Sequence, residues 1–173
     1  MAIYKDLVRG VDIVIEGMRP GVLARRGLGY DDLRAIKPSI VFCTLSGFGA
    51  TGPYRDLPSH GNAFDTWGAV APVERDGNGF TYLGDHVSIG TKTAPVWAAL
   101  GVVSAVLRAR ATGLGALIDV AQTDAAAAAN WLRIEGFRAY ERPEDEVTGN
   151  ASDNYVRRTP GNAGMRDAVR YQV

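Results

Sequence analysis

The sequence predicts an α/β fold built on a parallel sheet, and three observations predict it. Two β-branched apolar runs, "VDIVIEG" (Val11 to Gly17) and "SIVFCTLSGFG" (residues 39–49), each close on glycine. Between them lie two short helix-forming segments. A third apolar run, "ALIDVAQ" (Ala116 to Gln122), follows a long stretch of helix formers. Short apolar runs bounded by turn residues read as buried strands. Strand, helices and strand over this length make a βαβ unit, so neighbouring strands run parallel with a right-handed crossover.

Each element has its own signal. After the first strand, a short helix is expected near Pro20 to Arg26. A second spans about Asp31 to Ile36, with acids in its first turn and Lys37-Pro38 closing it. Residues 50–70 carry enough Gly and Pro to read as loop, then as a short helix bearing Phe64 and Trp67. "ERDGNGFTYLGD" holds an Asp-Gly-Asn-Gly turn, the mark of a hairpin or tight turn. A long helix is expected from Ser88 to Ala111, with Trp97, Leu100, Ser104 and Leu107 on one face of a 3.6-residue period. Pro95 requires that helix either to start just before it or to kink. Thr112-Gly113 closes it, with Arg108 and Arg110 in the last turn. Residues 123–141 read as a helix with Thr123 as its N-cap and an alanine run suited to close packing. Beyond Arg142 the composition turns polar and turn-rich, a linker rather than a second core, and the closing "VRYQV" reads as the start of a strand. Residues 1–142 thus form one domain part and 143–173 a linker. The opening beside a strand, the closing on another element and the small strand count together predict a piece of a longer protein.

Composition narrows the function. With 46% hydrophobic and 22% charged residues in 173, the chain can bury a core. Lys+Arg and Asp+Glu balance at 19 each, so bulk charge offers no footprint for nucleic acid or an acidic membrane. Any anion must be held by a local arrangement. The single cysteine, Cys43, excludes an intrachain disulfide and suits a reducing cytoplasm; in its apolar run it is expected to be a buried small hydrophobe. The N-terminus carries charges where a signal peptide would be apolar, and Gly, Pro and Ser interrupt the longest apolar stretch, so neither leader nor membrane span is expected.

Several residues could carry chemistry. Arg19, Arg25 and Arg26 follow the first strand, where open α/β sheets place their ligand crevice. With nearby glycines they could hold phosphate by charge-assisted hydrogen bonds, or equally form a solvated basic face. The glycines match neither G-x-G-x-x-G nor a Walker pattern. His60, His86, Cys43, Asp65 and Asp85 show no recognised metal spacing, and Ser46 stands in S-G-F-G rather than a G-x-S-x-G elbow. In "GFTYLGDHVSIG", Asp85 separates a strand-like run from the long helix. That position suits a helix cap or a residue presented for chemistry, and the pattern leaves both open. Asp119 and Asp124 read as structural, a strand acid and a first-turn acid, and Asp65 as a structural acid of a loop or helix.

The string "VDIVIEGMRPGVLARRGLGYDDLRAIKPSIVFCTLSGFGATGPYRDLPSH", with the later "LGD…WAALGVVSAVLRARATGLGALIDVAQTDA", resembles the central part of the class III CoA-transferase family. This family embraces the formyl-CoA and carnitine type and the α-methylacyl-CoA racemases. The resemblance covers roughly residues 10–135. It implies a Rossmann-like large domain with flanking helices, a smaller domain, and two chains interlocked as a homodimer. It implies that coenzyme A is a substrate, alongside acyl-CoA thioesters and carboxylic acids, with no metal and no resident cofactor. Leu83-Gly84-Asp85 matches the family's L-G-D-type motif, which makes Asp85 the nucleophile. The CoA-contacting segment falls on Gly17, Met18 and Arg19, a further CoA-contacting arginine on Arg25, and His60 takes the position near the thioester.

Two other readings accompany transfer. In the racemase reading His60 and Asp85 would move a proton off and back onto Cα; "SHGNAFD" lacks the G-H-D-x-N-Y form of that branch, which favours transfer. The family's N-terminal strand, its glycine-rich loop over the nucleophile and its small domain find no match here, so an inactive truncated fragment is the third.

Overall fold

The computed structural model describes residues 2–71, 73–84 and 87–131. The sheet is parallel and helices cover both its faces, as expected of an α/β fold. Helix α1 (Ala2–Arg9) leads into β1 (Ile13–Glu16), then α2 (Tyr30–Ile36) and β2 (Val41–Ser46). Helix α3 (Asn62–Trp67) precedes a small antiparallel hairpin, β3 (Val73–Arg75) and β4 (Thr81–Leu83). Then come α4 (Gly90–Thr112), β5 (Ala116–Ala121) and α5 (Gln122–Ala129). The parallel sheet has the order β1-β2-β5, with Ile15, Cys43 and Ile118 in one register row and Glu16, Thr44 and Asp119 in the next.

Successive strand residues alternate between faces. Val14 and Phe42 point to one face, where they form a core with Val8 of α1, Leu33 of α2, Leu28 and Ile40. Val41 and Cys43 point to the other, under Ala98, Val102, Ala105 and Ala109 of α4. Cys43 is fully buried there, and burial pushes its thiol above the ordinary cysteine range, as do the charges of Asp119 and Glu16. It is the small hydrophobe expected from its run. At the base of the sheet the Lys37 ammonium donates to the Val11 carbonyl at 2.6 Å and to Asp12 Oδ1 at 2.8 Å, tying the end of α2 to the entry of β1.

Three expectations are corrected, and the inner side of α4, which the sequence left open, is decided. The first strand is not buried throughout: Ile13 and Ile15 are 38% and 64% exposed, because α4 lies over β2 and β5 and leaves the outer side of β1 uncovered. Pro20 to Arg26 makes turns and one 3₁₀ turn, Ala24–Arg26, rather than an α-helix, because Gly21 takes φ 78° and breaks the right-handed run. In α4 the face bearing Trp97, Leu100 and Leu107 is the exposed one, at 53%, 60% and 62%, and the alanine face meets the sheet. Both sides of this helix are apolar, so periodicity marks no inner side, and the side that allows close approach is the one buried. Thr123 is not an N-cap, since β5 runs straight into α5 at Gln122 and the Thr123 N–H donates instead to the Gly47 carbonyl at 3.0 Å.

Helix α4 starts at Gly90, so Pro95 lies inside it and deprives it of one backbone bond. It has 23 residues and an 18-residue window of mean hydropathy 1.2, the length and composition of a membrane span, a property core helices share. The end of the helix expected over 123–141, the boundary at 142, the linker and the closing strand lie outside the described residues.

Candidate functional site

Open parallel sheets bind ligands beyond the carboxyl ends of their strands, and the candidate site is there. Strand β1 ends at Glu16, whose Oε2 accepts the N–H of Met18 at 2.8 Å and turns the chain through Gly17, Met18 and Arg19. Strand β2 ends at Ser46, followed by Gly47 and Phe48. Gly47 has to be glycine: a β-carbon there would overlap the Ser59 hydroxyl and the Phe64 ring. This close approach forms one wall of a half-open cavity of about 80 Å³, lined by Met18, Arg19, Ser46, Gly47, Phe64 and Gln122 among others. It has room for several water-sized groups, enough for one small polar moiety.

Ser46 is 5% exposed, and its Oγ has no hydrogen-bond partner among the described residues. A buried hydroxyl left so costs free energy unless something enters to pair with it. Glu16 sits beside the same turn. Burial pushes its carboxyl above the usual glutamate range, the Met18 N–H pulls it down, and the Asp119 charge pushes it up again. Asp119 is held by the Thr44 hydroxyl at 2.8 Å and the Ala50 N–H at 2.9 Å, the structural part expected of a strand acid.

A second, wider hollow of about 470 Å³ shares Phe48 with the first and is bounded by Tyr54, Trp67, Asp119, Thr123 and Asp124. Its aromatic wall is continuous: Phe48 meets Trp67 edge-on at 5.7 Å, and Tyr54 lies 4.5 Å from Trp67 between ring centroids. Together the two hollows place a small polar slot beside a broad aromatic one.

Of the residues singled out from sequence, Gly17, Met18 and Arg19 come together on the smaller cavity. Arg25 is exposed on the 3₁₀ turn, its guanidinium near Gly21, and lines neither hollow. His60 is exposed ahead of α3 and lines neither. Asp85 and His86 lie outside the described residues. Sequence reasoning weighed Ser46 only as a hydrolase nucleophile and left Phe64 and Gln122 aside. The available signal for Ser46 was the run Phe42, Thr44, Ser46, in which one strand face turns polar toward its carboxyl end.

The sequence model of CoA-transferase family III matches residues 1–159. The chain is 37% identical over 124 residues to the succinyl-CoA–D-citramalate CoA-transferase of Chloroflexus aurantiacus, covering 69% of this chain and 29% of that one. Over 157 residues it is 30% identical to the succinate–glutarate CoA-transferase of Agrobacterium fabrum, covering 88% and 38% respectively. The crystal structure of a CAIB/BAIF family protein from Brucella suis superposes with a TM-score of 0.69 at 25% identity, over 82% of this chain and 37% of that one. The chain therefore spans between 29% and 38% of the length of these proteins.

Proposed function

This chain belongs to CoA-transferase family III, and from that premise we propose that it serves the transfer of CoA from an acyl-CoA thioester to a carboxylic acid, with Asp85 as nucleophile. The observation that carries the reading is the convergence of Gly17, Met18 and Arg19 on a cavity containing an unpaired, buried Ser46 hydroxyl. An arginine and a buried hydroxyl at the carboxyl ends of parallel strands are donors that an anionic, thioester-bearing ligand can use. Arg25 extends the same basic segment, and His60 is assigned to the acyl end. Two relatives whose names specify succinyl-CoA or succinate support a dicarboxylate acyl group. An interlocked homodimer belongs to the same reading.

An aspartate needs no base to act at neutral pH, because a carboxylate is already ionised. Its oxygen attacks the thioester carbonyl carbon, the C–S bond breaks, and CoA leaves as thiolate from a mixed anhydride. The thiolate attacks the aspartyl carbonyl and expels the first acid, leaving CoA on Asp85. An acceptor carboxylate then attacks that thioester to form a second anhydride. The released thiolate finally attacks the acceptor's acyl carbon, restoring the Asp85 carboxylate. Each tetrahedral oxyanion calls for preorganised N–H donors.

The test is mass spectrometry after mixing with succinyl-CoA, with hydroxylamine as trap. A hydroxamate on the Asp85 peptide, absent in Asp85→Ala, is the expected result. Continued CoA exchange by Asp85→Ala would overturn the assignment. No observation favours proton transfer between His60 and Asp85; α-proton exchange in deuterated buffer without any adduct would replace the transferase reading with it.

A further inference from the structure

Asp65, a carboxylate left unplaced by sequence reasoning, is completely buried on α3. Its Oδ1 accepts the N–H of Gly90 at 2.7 Å, and the N–H of Ile89 reaches Oδ1 at 3.2 Å and Oδ2 at 3.0 Å. The N–H groups at a helix start have no partner within the helix. Here a side chain from another element fills the role of a local N-cap. Charge-assisted bonds at the positive end of a 23-residue helix offset the cost of burying the carboxylate. The backbone carbonyl of Asp65 accepts in turn from Val70 at 2.9 Å and Ala71 at 3.1 Å. One residue thus joins α3, the turn after it and the start of α4.

The seat is tight on its other side as well. A β-carbon on Gly90 would come 2.8 Å from the Gln122 carbonyl oxygen and 3.2 Å from Phe64 Cβ. Phe64 and Gln122 both line the cavity that holds Met18, Arg19 and Ser46. The start of α4 and the candidate site therefore share two walls. Asp85 precedes Ile89 by four residues, a tether of at most about 14 Å, so whatever fixes Ile89 bounds where Asp85 can act.

We propose that Asp65 is a positioning residue for acyl transfer: by pinning Ile89 and Gly90 it fixes the chain four residues beyond Asp85. The inference rests on the reading of Asp85 as nucleophile. Asp65→Asn and Asp65→Ala are compared with the native full chain in three measurements: the single-turnover rate of hydroxylamine-trapped adduct with saturating succinyl-CoA, the equilibrium affinity for CoA, and amide hydrogen exchange at Ile89 and Gly90. Asp65→Ala is expected to speed exchange at both amides and slow adduct formation about 10²-fold, with CoA affinity changed less than about twofold. Asp65→Asn retains one acceptor for the Gly90 N–H and should fall between; it decides the matter if Asp65→Ala does not fold. Unchanged adduct rates in the variants beside an active native chain overturn this role alone. So does a loss of rate that only tracks lost CoA affinity or lost folded protein. A native chain that forms no adduct sinks the transferase reading, and the positioning role with it.

Discussion

The two faces of the parallel sheet are filled differently. Under α1 and α2 the core is made of bulky residues, Val8, Val14, Leu28, Leu33, Ile40 and Phe42, and it gives way toward the strands' carboxyl ends to the polar row Glu16, Thr44 and Asp119. Under α4 the helix contributes mostly small residues, Ala98, Ala105 and Ala109 with Val102 and Val106, and the sheet stays apolar to Leu45 and Val120. Bulky residues hold the first face through buried volume, whereas small ones hold the second through close approach. The polar end of the first face is also where Ser46 meets the cavity. A face that stays apolar to its edge supports the sheet, and a face that turns polar has left room for chemistry.

Three substitutions would break or sharpen this contrast. Leu33→Ala removes a fully buried side chain from the bulky face and should cost about 2–5 kcal/mol in denaturant unfolding. A loss under about 1 kcal/mol would show that this face has slack and that volume does not hold it. Ala98→Leu adds bulk where α4 lies on Val41 and Cys43 and should cost about 1–3 kcal/mol through overpacking. If it proves neutral, close approach is not what holds α4. Glu16→Gln is the smallest change and tests the polar row. The folded-state pKa of Glu16 is raised, chiefly by burial, so its contribution is complete below the ordinary glutamate value and is lost as pH rises through the raised one. Thermal melts should therefore show the Tm difference moving in favour of Glu16→Gln as pH rises through that window. A pH-independent difference would mean that Glu16 titrates normally.

Much of the fold was legible from local signals. The strand around Val41 to Ser46, the α2 segment with its early acids, and the turn at Asp76 to Gly79 depend on neighbours a few residues apart. Arg19 was legible because it follows a strand end, where backbone direction already points to a crevice, whereas Gly17 and Met18 were legible only through the family resemblance. Asp65 was not, because its partners Ile89 and Gly90 are 24 and 25 residues away in the chain. Nor was the inner side of α4, which carries apolar residues on both sides.

The order of strand and helix, the parallel pairing of β1 with β2 and the family-like string through Leu83-Gly84-Asp85 were determined by the sequence alone, because propensity, turn chemistry and motif are properties of short stretches. Tertiary structure decided which side of α4 faces inward, that Ser46 is left with an unpaired hydroxyl, and that a carboxylate on α3 caps a helix distant in the chain. Those outcomes depend on which volumes fit together and which buried donors and acceptors meet, and neither exists until the chain has closed on itself.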